Sequence, residues 1–267
     1  MSTNETRMRA MRVLAAVDES PDGLAALEAA AALAAGLPGE LAGLFVEDEC
    51  LMRAAALPFT CELGIGTARS RPLEMADIQR RFAAVAKQLR EQLERTAQRA
   101  RLRWSFETVR GAVVRQTMER AVDVDFVVLG RHGLAPRSLG ASRSPAPGRR
   151  PAPLLVVFDG DAASQRSLAA AASLARERRT QLEVYLSPVE KQQTSELQFV
   201  AVSRLEELHV RARVHASPLL APAALLDAAR RTQPQLLFVG ATNRLLDERL
   251  LESLVSDLHC PVAIGYP

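Results

Sequence analysis

Lysine is nearly missing from this chain: of its 34 basic residues only Lys87 and Lys191 are lysine, and the rest are arginine. The arginines are interleaved with 31 acidic residues, for a net charge of +3. They make no basic stripe along which a nucleic acid would lie, so no nucleic-acid partner is expected. Cysteine is scarce. Cys50, Cys61 and Cys260 contain no Cys-x-x-Cys pair, which argues against a disulfide framework or a structural zinc site and fits a reducing cytoplasm. Long apolar runs are absent too. The Ala/Leu-rich stretch from Leu24 to Leu37 carries Glu28 and meets Pro38, so it reads as a buried helix and not as a bilayer span. The polar start, Met1 to Met11, leads into an apolar run, Val13 to Val17, that is too short for a signal-peptide core. Neither export nor a membrane segment is expected. Catalytic signatures are missing as well: no Gly-x-x-x-x-Gly-Lys-Ser/Thr loop, no Gly-x-Gly-x-x-Gly after the first strand, no Gly-x-Ser-x-Gly elbow and no His-Glu-x-x-His. No enzyme is expected.

What is present is a globular composition, 48% hydrophobic over 267 residues, enough for one large domain or two ordinary ones. Short β-branched and Leu-rich runs alternate with longer helical patterns, the signature of repeated β-α units and a parallel sheet. In the first half strands are predicted over Arg12 to Val17, Glu40 to Val46, Arg103 to Val109 and Asp125 to Leu129, with helices over Pro21 to Gly36, Glu74 to Arg101 and Val113 to Val122. The second half repeats the order from a strand at Leu154 to Phe158 and a helix at Ala162 to Arg178, through to a helix at Leu245 to Leu258 and a strand at Val262 to Tyr266.

The halves also align residue by residue. An apolar strand ended by aspartate occurs at Val13 to Asp18 and again at Leu154 to Asp159, and Phe126-Val127-Val128-Leu129-Gly130 answers Leu236-Leu237-Phe238-Val239-Gly240. Such self-similarity marks an internal repeat. The proline-dense stretch Ser142 to Pro153 reads as a loop or linker. This predicts one domain over residues 9–144, with an insertion at about residues 50–72, and a second over 153–267. Because Leu154 to Phe158 opens the second repeat, the first lacks a fifth strand. Its bare edge needs a cover, from a partner chain or from the insertion.

In an open parallel sheet, ligands bind beyond the carboxyl ends of the strands. Asp18, Asp159, Gly130 and Gly240 fall there. Asp18 is suited to accept hydrogen bonds from a base or ribose, or to cap the following helix. Gly130 and Gly133 would admit backbone amides to a phosphate, or simply close a turn, and His132 between them could donate to it. His209, His215 and His259 are explained by strand edges and helix ends, and Glu47, Asp48 and Glu49 by a solvated turn. Asn243 is a candidate for the left-handed conformation.

The combination of Val17-Asp18-Glu19-Ser20, Thr108-Val109-Arg110-Gly111, the run Asp125 to Gly133 and His259-Cys260-Pro261-Val262 resembles the universal stress protein family, once per half. The resemblance implies two tandem parallel-sheet α/β sandwich domains of the adenine nucleotide alpha hydrolase-like, universal stress protein-like type. It also implies association through the fifth strand and no chemical reaction common to the family. Carried over to this chain, it assigns base or ribose contact to Asp18 and adenine contact to Val46. The phosphate motif is represented by Gly130, His132, Gly133, Gly140 and Ser142. There the pattern departs: six residues separate Gly133 from Gly140, Ala141 precedes Ser142, and prolines follow where a helix N-terminus is needed. Two functions stay open. One is a stress-response or regulatory protein binding ATP or another adenine nucleotide in the first half only. The other is a nucleotide-independent scaffold, with a protein partner or a homo-oligomer as its means of action.

Overall fold

A computed structural model describes residues 11–35, 39–57, 60–63, 70–130, 152–215, 218, 221–258 and 260–267. The first half runs β1 (Met11–Ala16), α1 (Pro21–Ala35), β2 (Gly39–Asp48), α2 (Glu49–Ala56), β3 (Cys61–Leu63), β4 (Ser70–Pro72), α3 (Met75–Ala100), β5 (Arg103–Gly111), α4 (Val113–Glu119) and β6 (Phe126–Leu129). The second runs β7 (Leu154–Phe158), α5 (Ala162–Arg178), β8 (Leu182–Leu186), a single 3-10 turn at Lys191–Gln193, α6 (Thr194–Glu207), β9 (Ala212–His215), α7 (Pro222–Thr232), β10 (Leu236–Gly240), α8 (Glu248–Asp257) and β11 (Val262–Gly265).

Local chemistry explains the boundaries. Asp161 caps α5 by accepting from Ser164 N at 2.6 Å, and Asp247 caps α8 by accepting from Leu250 N at 2.7 Å. α7 starts with Pro222, whose missing N–H costs nothing in a first turn. α3 buries Ile78, Phe82, Val85, Leu89 and Leu93 at three- and four-residue spacing against the sheet. Three expectations need correction. α4 ends at Glu119, and Val122, placed in it from the sequence, is 74% exposed beyond its end. α8 starts at Glu248 and not at Leu245, because residues 241–247 are turned onto the sheet. The insertion, expected to carry one short helix over Leu51 to Leu57, holds α2 and also the antiparallel pair β3–β4, whose three-residue strands are too short to show a period.

Nine strands form one sheet in the order β5-β2-β1-β6-β11-β10-β7-β8-β9. Every neighbouring pair is parallel except β6–β11. Read from either outer edge, the order is the same up to β11, so the two half-sheets face each other across that strand. Among the described residues the first half supplies four strands to the sheet, as expected, and β11 of the second half takes the fifth seat. It pairs Val262 with Leu129 through Gly265 with Phe126 on one edge, and Leu237 with Val262 through Gly240 with Gly265 on the other. The bare edge is therefore covered within the chain and not by the insertion, whose hairpin is a separate sheet. With both edges of β11 taken, that strand is closed to association with another copy.

Helices α1, α3, α5 and α6 pack on one face, over Val13, Leu41, Val128, Val156, Phe238 and Ala263. Helices α4, α7 and α8 pack on the other, over Leu14, Leu44, Val127, Leu155, Val239 and Ile264. Both layers cross the seam without a break, and Phe126 meets Phe238 edge-on at 6.4 Å. Gly265 makes the seam close: a Cβ there would lie 2.3 Å from Ser167 Oγ and 3.1 Å from the Phe126 ring.

Asp125 ties the polar end of the seam together. Its carboxylate accepts from Arg12 N of β1 at 2.8 Å and from Arg166 Nη1 of α5 at 2.6 Å, while its carbonyl accepts from Tyr266 N at 2.9 Å. Its side chain is only 18% exposed. Asp125→Ala would leave a strand-end N–H and a guanidinium without their acceptor, so a loss of about 2 kcal/mol is expected, with a smaller one for Arg166→Ala. Urea unfolding of both variants measures it.

Candidate functional site

The crevice of the first half is built around Asp18, just beyond β1. Its Oδ1 accepts from Ser20 N at 2.9 Å and from the Ser20 hydroxyl, and Ser20 Oγ in turn accepts from Gly23 N at 2.9 Å. Ser20 is thus the residue that caps α1, and Asp18 orients the cap. The carboxylate lies against the first turn of α1, where a Cβ on Gly23 would fall 2.1 Å from Asp18 Oδ1. Gly130, at the end of β6, abuts the same turn: a Cβ there would lie 2.6 Å from Asp22 O. Packing against α1 accounts for this glycine.

Ala16 stands opposite Leu44 and Val17 N donates to Leu44 O at 2.9 Å, so Val46 lies level with Asp18 on the neighbouring strand, 8% exposed. Because β11 runs antiparallel to β6, its leading end also reaches this region. Burial pushes the Cys260 thiol up to about 12, with the Asp22 carboxylate of α1 adding to the shift. Cys260 is therefore a protonated, unreactive wall residue. His132, Gly133, Gly140, Ser142 and His259 lie outside the described residues.

The acids after β2 are engaged structurally. Asp48 caps α2 by accepting from Cys50 N at 2.7 Å, Glu47 pairs with Arg110 at 3.1 Å and Glu49 with Arg53 at 2.8 Å. His215 stacks on Tyr185 at 3.9 Å and meets Glu183 at 3.1 Å, while His209 closes α6 in a left-handed conformation. Among the described residues no His, Cys, Asp and Glu cluster could hold a metal ion. A hollow of about 410 Å³ lies elsewhere, at the other end of β6, bordered by Met118, Asp125 and Tyr266.

The second crevice has the same framework and a different end. Asp159 follows β7, and Asn243 Nδ2 donates to its Oδ2 at 2.8 Å across 84 residues of sequence. Asn243 Oδ1 accepts from Leu245 N at 3.0 Å, Asn243 N donates to Gly240 O at 3.0 Å, and the side chain is 2% exposed. It is not in the left-handed region suggested for it. Thr242 Oγ1 donates to Asp161 Oδ2, and Arg244 Nη2 to Pro188 O. The loop after β10 is thereby folded down over the strand ends, with Leu245 buried behind it. Ser187, level with Asp159 as Val46 is with Asp18, is fully buried. Sequence reasoning missed both Asn243 and Ser187 as crevice residues. The one available signal was the repeat, which sets Asn243 against Gly133, each three residues past the matched Gly240 and Gly130.

The geometry defines a doubly layered, mostly parallel α/β protein with its crevices at the carboxyl ends of the strands. No protein-family model matches the sequence, and no curated protein does. Among solved structures the chain is similar to a universal stress protein from Archaeoglobus fulgidus DSM 4304, with 13% identity over 97% of each chain and a TM-score of 0.56. It also aligns with a second Archaeoglobus fulgidus universal stress protein, solved in complex with dAMP, at 17% identity over 44% of this chain and 98% of that one, TM-score 0.35. A protein of the universal stress protein family from Burkholderia pseudomallei aligns at 20% identity over 44% and 98%, TM-score 0.30. The fold of this chain is that of the universal stress proteins.

The Asp159 carboxyl is held above the usual carboxylate range, first by burial and then by the neighbouring Asp161. A raised native pKa contributes stability that is present below the ordinary value of 3.8 and is lost as pH rises through the native value. Asp159→Asn cannot ionise, so it should gain on the wild type over that interval. Denaturant unfolding of both proteins from pH 3 to pH 7 should show their stability difference narrowing or reversing as pH rises.

Proposed function

We propose that this protein is a non-catalytic, ligand-responsive regulator of the universal stress type. In this reading it takes an adenine nucleotide in the first crevice, beside Asp18, and keeps the second crevice closed. The contact between Asn243 and Asp159 carries the reading. A carboxamide N–H donating to a half-buried carboxylate is the bond that an exocyclic amine or a ribose hydroxyl would make, so the second crevice is satisfied by its own chain. The first half has Gly133 at the matching place, a residue with no side chain to offer. Asp18, whose Oδ1 also accepts from Ser20, is the acceptor proposed for the base or ribose, and Val46 the apolar surface for the base. Phosphate contact falls to Gly130, His132, Gly133, Gly140 and Ser142.

No turnover is proposed, because the described acids near the crevice serve as caps and ion pairs. No described helix is long and apolar enough to cross a membrane. A cytoplasmic setting belongs to the proposal, supported by three cysteines with no Cys-x-x-Cys pair. The scaffold reading is favoured by the short Gly133 to Gly140 spacing, which shortens the phosphate loop.

Thermal melting separates the two. ATP, ADP or AMP at a hundredfold over its dissociation constant should stabilise the fold by about 2.7 kcal/mol. Asp18→Ala should remove most of the shift and Asp159→Ala should leave it. No shift with any of the three at millimolar concentration would sink the nucleotide reading in favour of the scaffold.

A further inference from the structure

The sheet ends on two strands of different kinds. β9, at one edge, is only four residues long. β5, at the other, runs nine residues in unbroken register with β2 and contains neither proline nor lysine. Among the described residues no strand pairs with its outer side. Proteins usually blunt such an edge with a short strand, a bulge, proline or lysine, because free N–H and C=O groups template pairing with another chain. β9 is blunted in that way and β5 is not. Side chains alternate along β5. Trp104 and Phe106 are half-buried on the α3 side, where Arg90 lies over the indole ring at 5.8 Å, while Arg103, Ser105 and Glu107 are exposed on the other.

We infer that this edge pairs with the same edge of a second copy of the chain, antiparallel about a twofold axis at Ser105. The order Arg103-Trp104-Ser105-Phe106-Glu107 is complementary to its own reverse, as a twofold interface requires. Arg103 of each copy faces Glu107 of the other, Trp104 faces Phe106, and Ser105 faces Ser105, so opposite charges meet on one side of the sheet and aromatic rings on the other. Other registers that keep the two faces aligned do worse. An axis at Phe106 sets Arg103 against Val109 and Glu107 against Ser105, and an axis at Glu107, which gives the longest overlap, sets that carboxylate against its copy. The neighbouring charges leave the chosen register free. Glu107 accepts from Arg120 through Oε1 at 3.1 Å, which leaves Oε2 for the other copy, and Arg103 has no ion pair among the described residues. Arg110 overhangs toward Arg101 of the other copy, with its charge already met by Glu47 at 3.1 Å. A contact built on five residues of one strand is small, so the dimer is weak and reversible. It uses the amino-terminal half of β5 and leaves the carboxyl ends of the strands, with the Asp18 crevice, open.

Sedimentation velocity from micromolar to millimolar chain concentration should show a monomer–dimer equilibrium, and amide exchange within Arg103 to Glu107 should slow as the concentration rises. Arg103→Glu and Glu107→Arg should each weaken the dimer by about tenfold or more, since either change sets like charges opposite each other twice. Mixed in equal amounts, the two variants should associate as tightly as the wild type does, because each supplies the charge that the other lacks. That rescue is a readout a misfolded variant could not give. A wild type that is monomeric at every concentration, a dimer indifferent to both variants, a mixture that associates no better than either variant alone, or concentration-dependent protection confined to another part of the chain would each overturn the inference.

Discussion

Two half-sheets share one closing strand, and the rest of the molecule follows from that constraint. A four-strand parallel half ends on β6, whose outer N–H and C=O groups would template aggregation if left bare. β11 satisfies them while staying in its own half. Because the halves face each other, it must run antiparallel to β6 if it is parallel to β10. Val262, Ala263 and Ile264 are wholly buried as a result, and such burial is the dominant favourable contribution to folding. The two hydrophobic layers thereby become common to both halves. Asp125 and Gly265 are the local conditions of this arrangement, one supplying acceptors to three elements and the other removing a side chain where α5, β6 and β11 converge.

The same constraint differentiates the crevices. Each begins with an aspartate beyond a first strand and a helix start packed against a glycine, Gly130 on α1 and Gly240 on α5. A carboxylate taken out of water needs donors. Asp159 finds one in the Asn243 side chain, and the loop that delivers it also buries Leu245 over the strand ends. Asp18 is instead turned toward the Ser20 cap of α1. Identical scaffolds thus present a closed end in one half and a different end in the other, through side chains in the loop after the fourth strand. The antiparallel seam adds a further asymmetry, since it places Cys260 of the second half within electrostatic reach of Asp22 in the first.

Legibility in the sequence tracked the range of the interactions. β7 and α5 lie where the apolar run and the helical pattern placed them, because strand burial on both faces and helical amphipathicity are local and repetitive. β3 and β4 escaped notice since three residues show no periodicity, and the start of α8 was misplaced because Leu245 and Leu246 read as helix-facing residues. Asp18 was recognisable at a strand end because parallel order makes that placement topological, whereas Val46 was reached only through the family resemblance. The role of Asn243 was invisible, because its partner lies 84 residues away and no spacing rule links the two.

The amino-acid order by itself determined the alternation of strands and helices, the twofold repeat, the four strands that the described residues of the first half give to the sheet and the aspartates that end the opening strands. Each follows from patterns of solvation and backbone preference within a few residues of each other. Tertiary structure alone decided that β11 serves both halves, that Asn243 enters the second crevice and that β5 lies at an outer edge of the sheet. These depend on which distant surfaces meet, and that is settled only when burial of the whole sheet chooses one register among many that local chemistry allows.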